Sequence, residues 1–248
     1  MNVGKKVCSL ICGITLALGL ATTAPAQTPG ADMWLRADVG VTISNGKVTH
    51  WGDQSGLGHH AYMTGTNVAR QPQWVSGAIN GLPVIRFGGT QSLYLSTPIS
   101  PTQFTMFVVG KNSNPGEGFS MILGPGGNSP NNQLRWENGQ NVLAVGTGNG
   151  MPAITADVGL TRDYHILAAR YDGSRLNIYR NGALKLSTGL RTQGPWTLAQ
   201  VGAWYSTHYL KGDLAEVVTY ASALPDGDLQ ATTSYLRNKY FPAGKIAE

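Results

Sequence analysis

The stretch that decides the fold is Gly212-Asp213-Leu214-Ala215-Glu216-Val217-Val218-Thr219-Tyr220-Ala221-Ser222-Ala223-Leu224. It is a β-prone run carrying two acids. The period changes after Pro225: Leu229, Thr233, Leu236 and Tyr240 recur at helical spacing. Asp226 is placed to cap that helix, Arg237 and Lys239 near its C-terminal end complement its dipole, and Pro242 stops it. One terminal helix on an otherwise β-rich body is the expected arrangement.

Working outward, the remaining segments are short strand-like runs separated by turn residues. Thr105 to Lys111 is a continuous β-prone run bounded by Asn112-Ser113-Asn114-Pro115-Gly116, and it predicts a buried strand. His165 to Tyr171 and Arg175 to Arg180 flank Asp172-Gly173-Ser174, and Asn181-Gly182 then leads into Ala183 to Ser187. Asn-Gly between alternating runs favours a type I′ hairpin, because both residues tolerate positive φ. A meander of this kind points to a sandwich or barrel and away from a βαβ fold.

The N-terminus carries a different message. Lys5 and Lys6 precede an apolar run from Val7 to Leu20, and Ala24-Pro25-Ala26 supplies a small-x-small cleavage site. Residues 1–26 are therefore expected to be a secretory signal peptide, and 27–248 one β domain acting outside the cytoplasm. The apolar run is short for a membrane span. Both cysteines, Cys8 and Cys12, lie in this leader, so the mature chain is expected to lack disulfides, thiol nucleophiles and cysteine-based zinc sites. The formal net charge of +5 is scattered without a Lys/Arg run, which argues against nucleic acid as a partner.

Several short signatures occur in a suggestive order. They are Met33-Trp34-Leu35-Arg36-Ala37-Asp38, Trp51-Gly52-Asp53-Gln54-Ser55-Gly56, Asn80-Gly81-Leu82-Pro83-Val84-Ile85-Arg86-Phe87, Tyr171-Asp172-Gly173-Ser174 and Tyr179-Arg180-Asn181-Gly182. With the closing Gly212–Glu216 run and its helix, this series resembles the bacterial laminin-G-like branch of the concanavalin A-like lectin and glucanase superfamily. The resemblance implies an all-β, two-sheet antiparallel jelly-roll sandwich with a short C-terminal α-helix. Its members include sugar-binding modules, calcium-dependent adhesion modules and glycan-cleaving enzymes, so the function must come from particular residues.

The glucanase branch would carry Glu-x-Asp-x-x-Glu on one strand, where alternation brings the carboxylates to one face for glycoside hydrolysis. This chain has no such pattern. Asp213 and Glu216 are three positions apart, so a regular strand would point them to opposite faces. Glu137 has no acidic neighbour in sequence, and neither a Gly-x-Ser-x-Gly elbow nor a His-Glu-x-x-His helix occurs. His59-His60 is adjacent rather than spaced for one metal, and Lys211-Gly212-Asp213, which resembles an integrin-type tripeptide, reads as a turn.

Aromatic faces stack on pyranose rings, and Asn, Gln, Asp and Arg then bind the hydroxyls. Two segments offer that combination. In Gln133-Leu134-Arg135-Trp136-Glu137-Asn138, alternation puts Arg135 and Glu137 on one face and Trp136 and Asn138 on the other. Trp204-Tyr205-Ser206-Thr207-His208-Tyr209 is a loop-like aromatic cluster just before the closing strand. The expected ligand-binding residues are Arg135, Trp136, Asn138, Trp204, Tyr205 and Tyr209; Trp34, Trp51 and Trp74 are read as core or loop-base packing. Laminin-G-like modules often hold one calcium, which the resemblance would place at Asp53 and Asp213, although Asp53 could equally cap its own Gly-Ser turn. The chain is thus read as a secreted, non-catalytic binder of an extracellular glycan or glycoprotein. A divergent glycoside hydrolase or lyase, and a protein-binding adhesion module, are the alternatives.

Overall fold

The computed structural model describes Met1 and residues 30–63, 65–113, 118–126, 132–137, 142–145, 153–159, 162–190, 195–205 and 208–242. The proposed leader after Met1, including Cys8 and Cys12, lies outside them. In chain order the strands are β1 (Met33–Arg36), β2 (Val41–Ser44), β3 (Lys47–Trp51), β4 (Ala61–Tyr62), β5 (Gln73–Ile79), β6 (Leu82–Gly88), β7 (Leu93–Ile99), β8 (Phe104–Asn112) and β9 (Ser120–Gly124). They continue as β10 (Leu134–Glu137), β11 (Val142–Val145), β12 (Ile154–Asp157), β13 (His165–Tyr171), β14 (Arg175–Arg180), β15 (Ala183–Gly189), β16 (Leu198–Val201) and β17 (Lys211–Tyr220), followed by α1 (Asp226–Tyr240).

The chain is an all-β antiparallel sandwich with one C-terminal helix. The first layer runs β15-β14-β13-β8-β17, and the far edge of β17 is shared by β6 and then β1, with β5 beyond β6. The second layer runs β2-β3-β4-β7-β16-β9-β10-β11-β12. A Lys47–Gln73 pairing joins β3 to β5 and links the layers at one edge.

Strands β8 and β17 are buried on both faces, which explains their unbroken apolar composition. On β8, Phe104, Met106 and Val108 enter the core between the layers, whereas Phe107 and Val109 join a second cluster under α1 with Leu229, Leu236 and Tyr240. The Asn181-Gly182 turn has φ of 51° and 86°, the left-handed pair that a type I′ hairpin needs. Trp34 and Trp51 are buried, and Trp74 packs partly buried against the inter-layer core.

Two local expectations need correction. Pro225, not Asp226, is the N-cap of α1 and makes no side-chain cap bond; Asp226 pairs instead with Arg170. Asp213 and Glu216 do not face opposite ways. Leu214 pairs with Gly110 but Glu216 with Val109, so Ala215 is an extra residue in the ladder. This bulge restores the phase and turns both carboxylates to the helix-covered face of the layer. The carboxylate of Glu216 meets Lys239 and Tyr240 of α1, while that of Asp213 meets Arg86 and Tyr164.

Candidate functional site

Strand β10 alternates as its sequence predicts. Leu134 and Trp136 enter the inter-layer core, so Trp136, only 5% exposed, is a packing residue rather than a sugar platform. Arg135 and Glu137 share the outer face and are paired at 3.1 Å. Arg135 also donates to the Gln133 side-chain carbonyl, and its guanidinium lies 4.5 Å from the centroid of the Phe119 ring. The residue is 7% exposed, and its Nε–H has no partner among the described residues. Asn138 lies outside the described residues.

The loop leading to β17 completes the surface. Trp204 stacks on His208 at 5.0 Å with a 26° interplanar angle, and His208 contacts Phe119 at 5.2 Å. Trp204, His208, Phe119 and Arg135 therefore form one continuous run of stacked groups, joining two segments that are separate in sequence. Tyr205, 50% exposed, and the half-buried Tyr209 flank this run in sequence. Arg70 stacks over the Tyr209 ring at 5.6 Å and donates to its hydroxyl.

That loop is held in a costly shape. Tyr205 and His208 have φ of 54° and 50°, a region non-glycine residues rarely occupy unless their surroundings enforce it. Fully buried Gln200 helps enforce it by donating to the Tyr205 carbonyl and to Ser92 Oγ, both at 3.0 Å. Gly124 of β9 matters as well. A Cβ there would come within 2.5 Å of the Ala203 carbonyl oxygen, so only glycine lets the loop settle onto the strand. Burial, and then the charge of Arg135, lower the pKa of His208 and keep the imidazole neutral at pH 7.

The two acids assigned to calcium share no partner. The Asp53 carboxylate accepts from Trp34 N (2.7 Å), Ser55 N (3.0 Å), Ser55 Oγ (2.6 Å) and His59 N (3.0 Å), the pattern of a turn-capping aspartate. Asp213 is wholly buried, takes a two-bond fork from Arg86 at 2.7 and 2.8 Å, and accepts the Tyr164 hydroxyl at 2.5 Å. It is not presented for integrin-type recognition. Among the described residues, no three His, Cys, Asp or Glu side chains converge. His59 and His60 diverge, one ring bonding Thr97 O and the other the Asp53 N–H.

Sequence reasoning missed Phe119 as a site residue and did not single out His208. His208 sat inside the aromatic cluster, but Phe119 follows Gly116-Glu117-Gly118 in sequence and nothing local links it to residue 204.

No family model matches this chain, and no curated protein sequence does. Solved structures do match. Domain 4 of AbnA, a GH43 extracellular arabinanase from Geobacillus stearothermophilus solved with arabinotriose, is 17% identical at TM-score 0.54, over 75% of this chain and 97% of that domain. Trypanosoma rangeli sialidase in complex with sialic acid is 14% identical at TM-score 0.58, over 88% of this chain and 34% of the sialidase. The binding domain of botulinum neurotoxin serotype D is 12% identical at TM-score 0.55, over 84% of this chain and 51% of that one. The likeness is one of fold. This chain spans about one third of the sialidase, so the activity of that whole enzyme is not carried by the match.

Proposed function

We propose that this chain is a secreted, non-catalytic glycan-binding module of concanavalin A-like, laminin-G-like type. The observation that carries the proposal is the run Trp204–His208–Phe119–Arg135 on the outer face of the second layer. A sugar ring can lie on half-buried aromatic faces while the partly exposed Glu137 addresses its hydroxyls; buried Arg135, itself bonded to Gln133, holds Glu137 and Phe119 in place. The strained loop supports this role, since backbone kept at positive φ by a buried glutamine is preorganised rather than adaptable. The described residues of this run and its edge contain a single carboxylate, Glu137, engaged by Arg135, whereas most glycoside hydrolases use two. The fold neighbours include an arabinanase domain solved with arabinotriose, which agrees with a glycan ligand.

A glycan array probed with the purified protein tests the proposal. We expect retention that Trp204→Ala lowers at least tenfold. Absence of binding to every glycan would sink it, and release of reducing ends or unsaturated products from polysaccharides would replace it with an enzyme.

A further inference from the structure

A second surface lies where the first layer, beyond the face covered by α1, is joined by β3 of the second. Five residues stand directly opposite one another across five strands. Lys47 pairs with Gln73, Gln73 with Arg86, Arg86 with Asp213, and Asp213 with Lys111. Directly paired residues share a face, so this is one row of side chains across the sheet. Cations occupy its first, third and fifth places, two strand intervals apart, or about 9.5 Å at the backbone. Lys211, two residues before Asp213, adds a fourth cation opposite Gly88.

The four cations and Gln73 line a cleft of about 500 Å³ with Gln91 and Ser113. No acid lines it among the described residues; the wholly buried Asp213 behind it forks Arg86 at 2.7 Å and lies 3.5 Å from Lys111 Nζ. Lys111 is braced further over the Tyr164 ring at 4.7 Å. Lys47 and Lys211 have no acidic partner among the described residues. Asp213 thus fixes two cations in place, and the cleft keeps a surplus of positive charge.

We propose that this row binds an acidic polysaccharide carrying one carboxylate or sulfate per disaccharide. The inference rests on the glycan reading for the polymer and on the cation row for its charge. Every second sugar of such a chain presents an anion, a repeat comparable with two strand intervals. Nucleic acid fits less well. A duplex carries one phosphate charge per about 3.4 Å of helix axis on each strand, denser than this row, and among the described residues the cleft offers no exposed ring for base stacking. Among the described residues the only aromatic lining residue, Phe87, is 1% exposed.

The test is binding of the purified protein to hyaluronan, to a galactan with one sulfate per disaccharide, to neutral dextran and to single-stranded DNA. The variants are Lys47→Gln/Lys211→Gln and, as a charge control on exposed β15, Lys185→Gln. Lys211 is exposed, Lys47 is partly buried and neither pairs with Asp213, so the double variant avoids stranding that carboxylate as loss of Arg86 would. We expect one or both acidic polysaccharides to bind, the double variant to weaken binding by about tenfold at low salt, and 1 M salt to abolish it. Lys185→Gln should bind as the parent does. The comparison of hyaluronan with the galactan tells carboxylate from sulfate. Equal binding by the double variant and Lys185→Gln, absence of acidic-polysaccharide binding, or tighter lysine-dependent binding of DNA would each overturn the inference. If array ligands that depend on Trp204 persist while acidic polymers fail, this inference alone falls. If the lysines matter and Trp204→Ala changes nothing, the aromatic platform falls and the row stands.

Discussion

The indole N–H of Trp34 donates to Glu216 Oε1 at 2.6 Å, tying β1 to β17 across 182 positions of sequence. The other carboxylate oxygen accepts from Lys239 Nζ and the Tyr240 hydroxyl, both at 2.7 Å. Lys239 reaches on to Asp38 at 3.1 Å, so one buried anion gathers the first strand, the last strand and the helix.

Removing that anion should be severe. Glu216→Ala leaves an ammonium, a phenol and an indole facing an empty, dry space, and we expect a loss of about 3–5 kcal/mol in urea denaturation. Trp34→Phe deletes one donor and should cost less, about 1–3 kcal/mol for the lost bond and smaller ring. A Glu216→Ala protein as stable as the parent would refute the central role given to this carboxylate.

Two tryptophans of equal promise in sequence should now separate. Trp136→Ala empties a core position and is expected to destabilise by about 3–5 kcal/mol. Trp204→Ala should leave the denaturation midpoint nearly unchanged and remove glycan retention. The reverse pattern would contradict the placement of the platform.

The left-handed loop depends on Gly124. Gly124→Ala drives a methyl into the Ala203 carbonyl, and we expect a loss of about 1–3 kcal/mol together with weakened glycan binding. Binding at parental strength would show that the exact seating of this loop is unimportant for recognition.

Acid should destabilise the fold in two stages. Burial, reinforced by Arg180, depresses the His165 imidazole to about 4. The unfolded chain takes up this proton near pH 6.5 and the folded chain only near 4, so stability falls across that window, by roughly 3 kcal/mol in total. His165→Gln should flatten the window in denaturation curves taken from pH 7 to 4. The second stage belongs to Asp213, where burial works against ionisation but the Arg86 and Tyr164 bonds outweigh it, and to Asp38 and Asp53, also held low. Their contribution is present above the ordinary carboxylate range and disappears only as pH falls below it.

The sequence made some elements readable because their signals are local. The double-sided apolarity of Thr105–Val109, the Asn181-Gly182 turn and the helical spacing of Leu229, Leu236 and Tyr240 need no partner to be seen. The face of Asp213 was not readable, because one extra residue in β17 reverses the parity that alternation assumes. Alternation paired Arg135 with Glu137 correctly but could not say that Trp136 was on the inward side. The meeting of Phe119 with His208, and the row from Lys47 to Lys111, depend on which strands become neighbours. No periodicity within a single strand encodes that choice.

Ala215 therefore does more than interrupt a ladder. With it, Leu214 and Val217 both point into the inter-layer core while two acids on the same strand point away from it. Deleting this one alanine would rotate half of β17, trading an aliphatic side chain for a carboxylate at the dry centre of the protein. A single inserted residue is what allows one strand to act as core on one side and as an ionic spine, anchoring both helix and basic cleft, on the other.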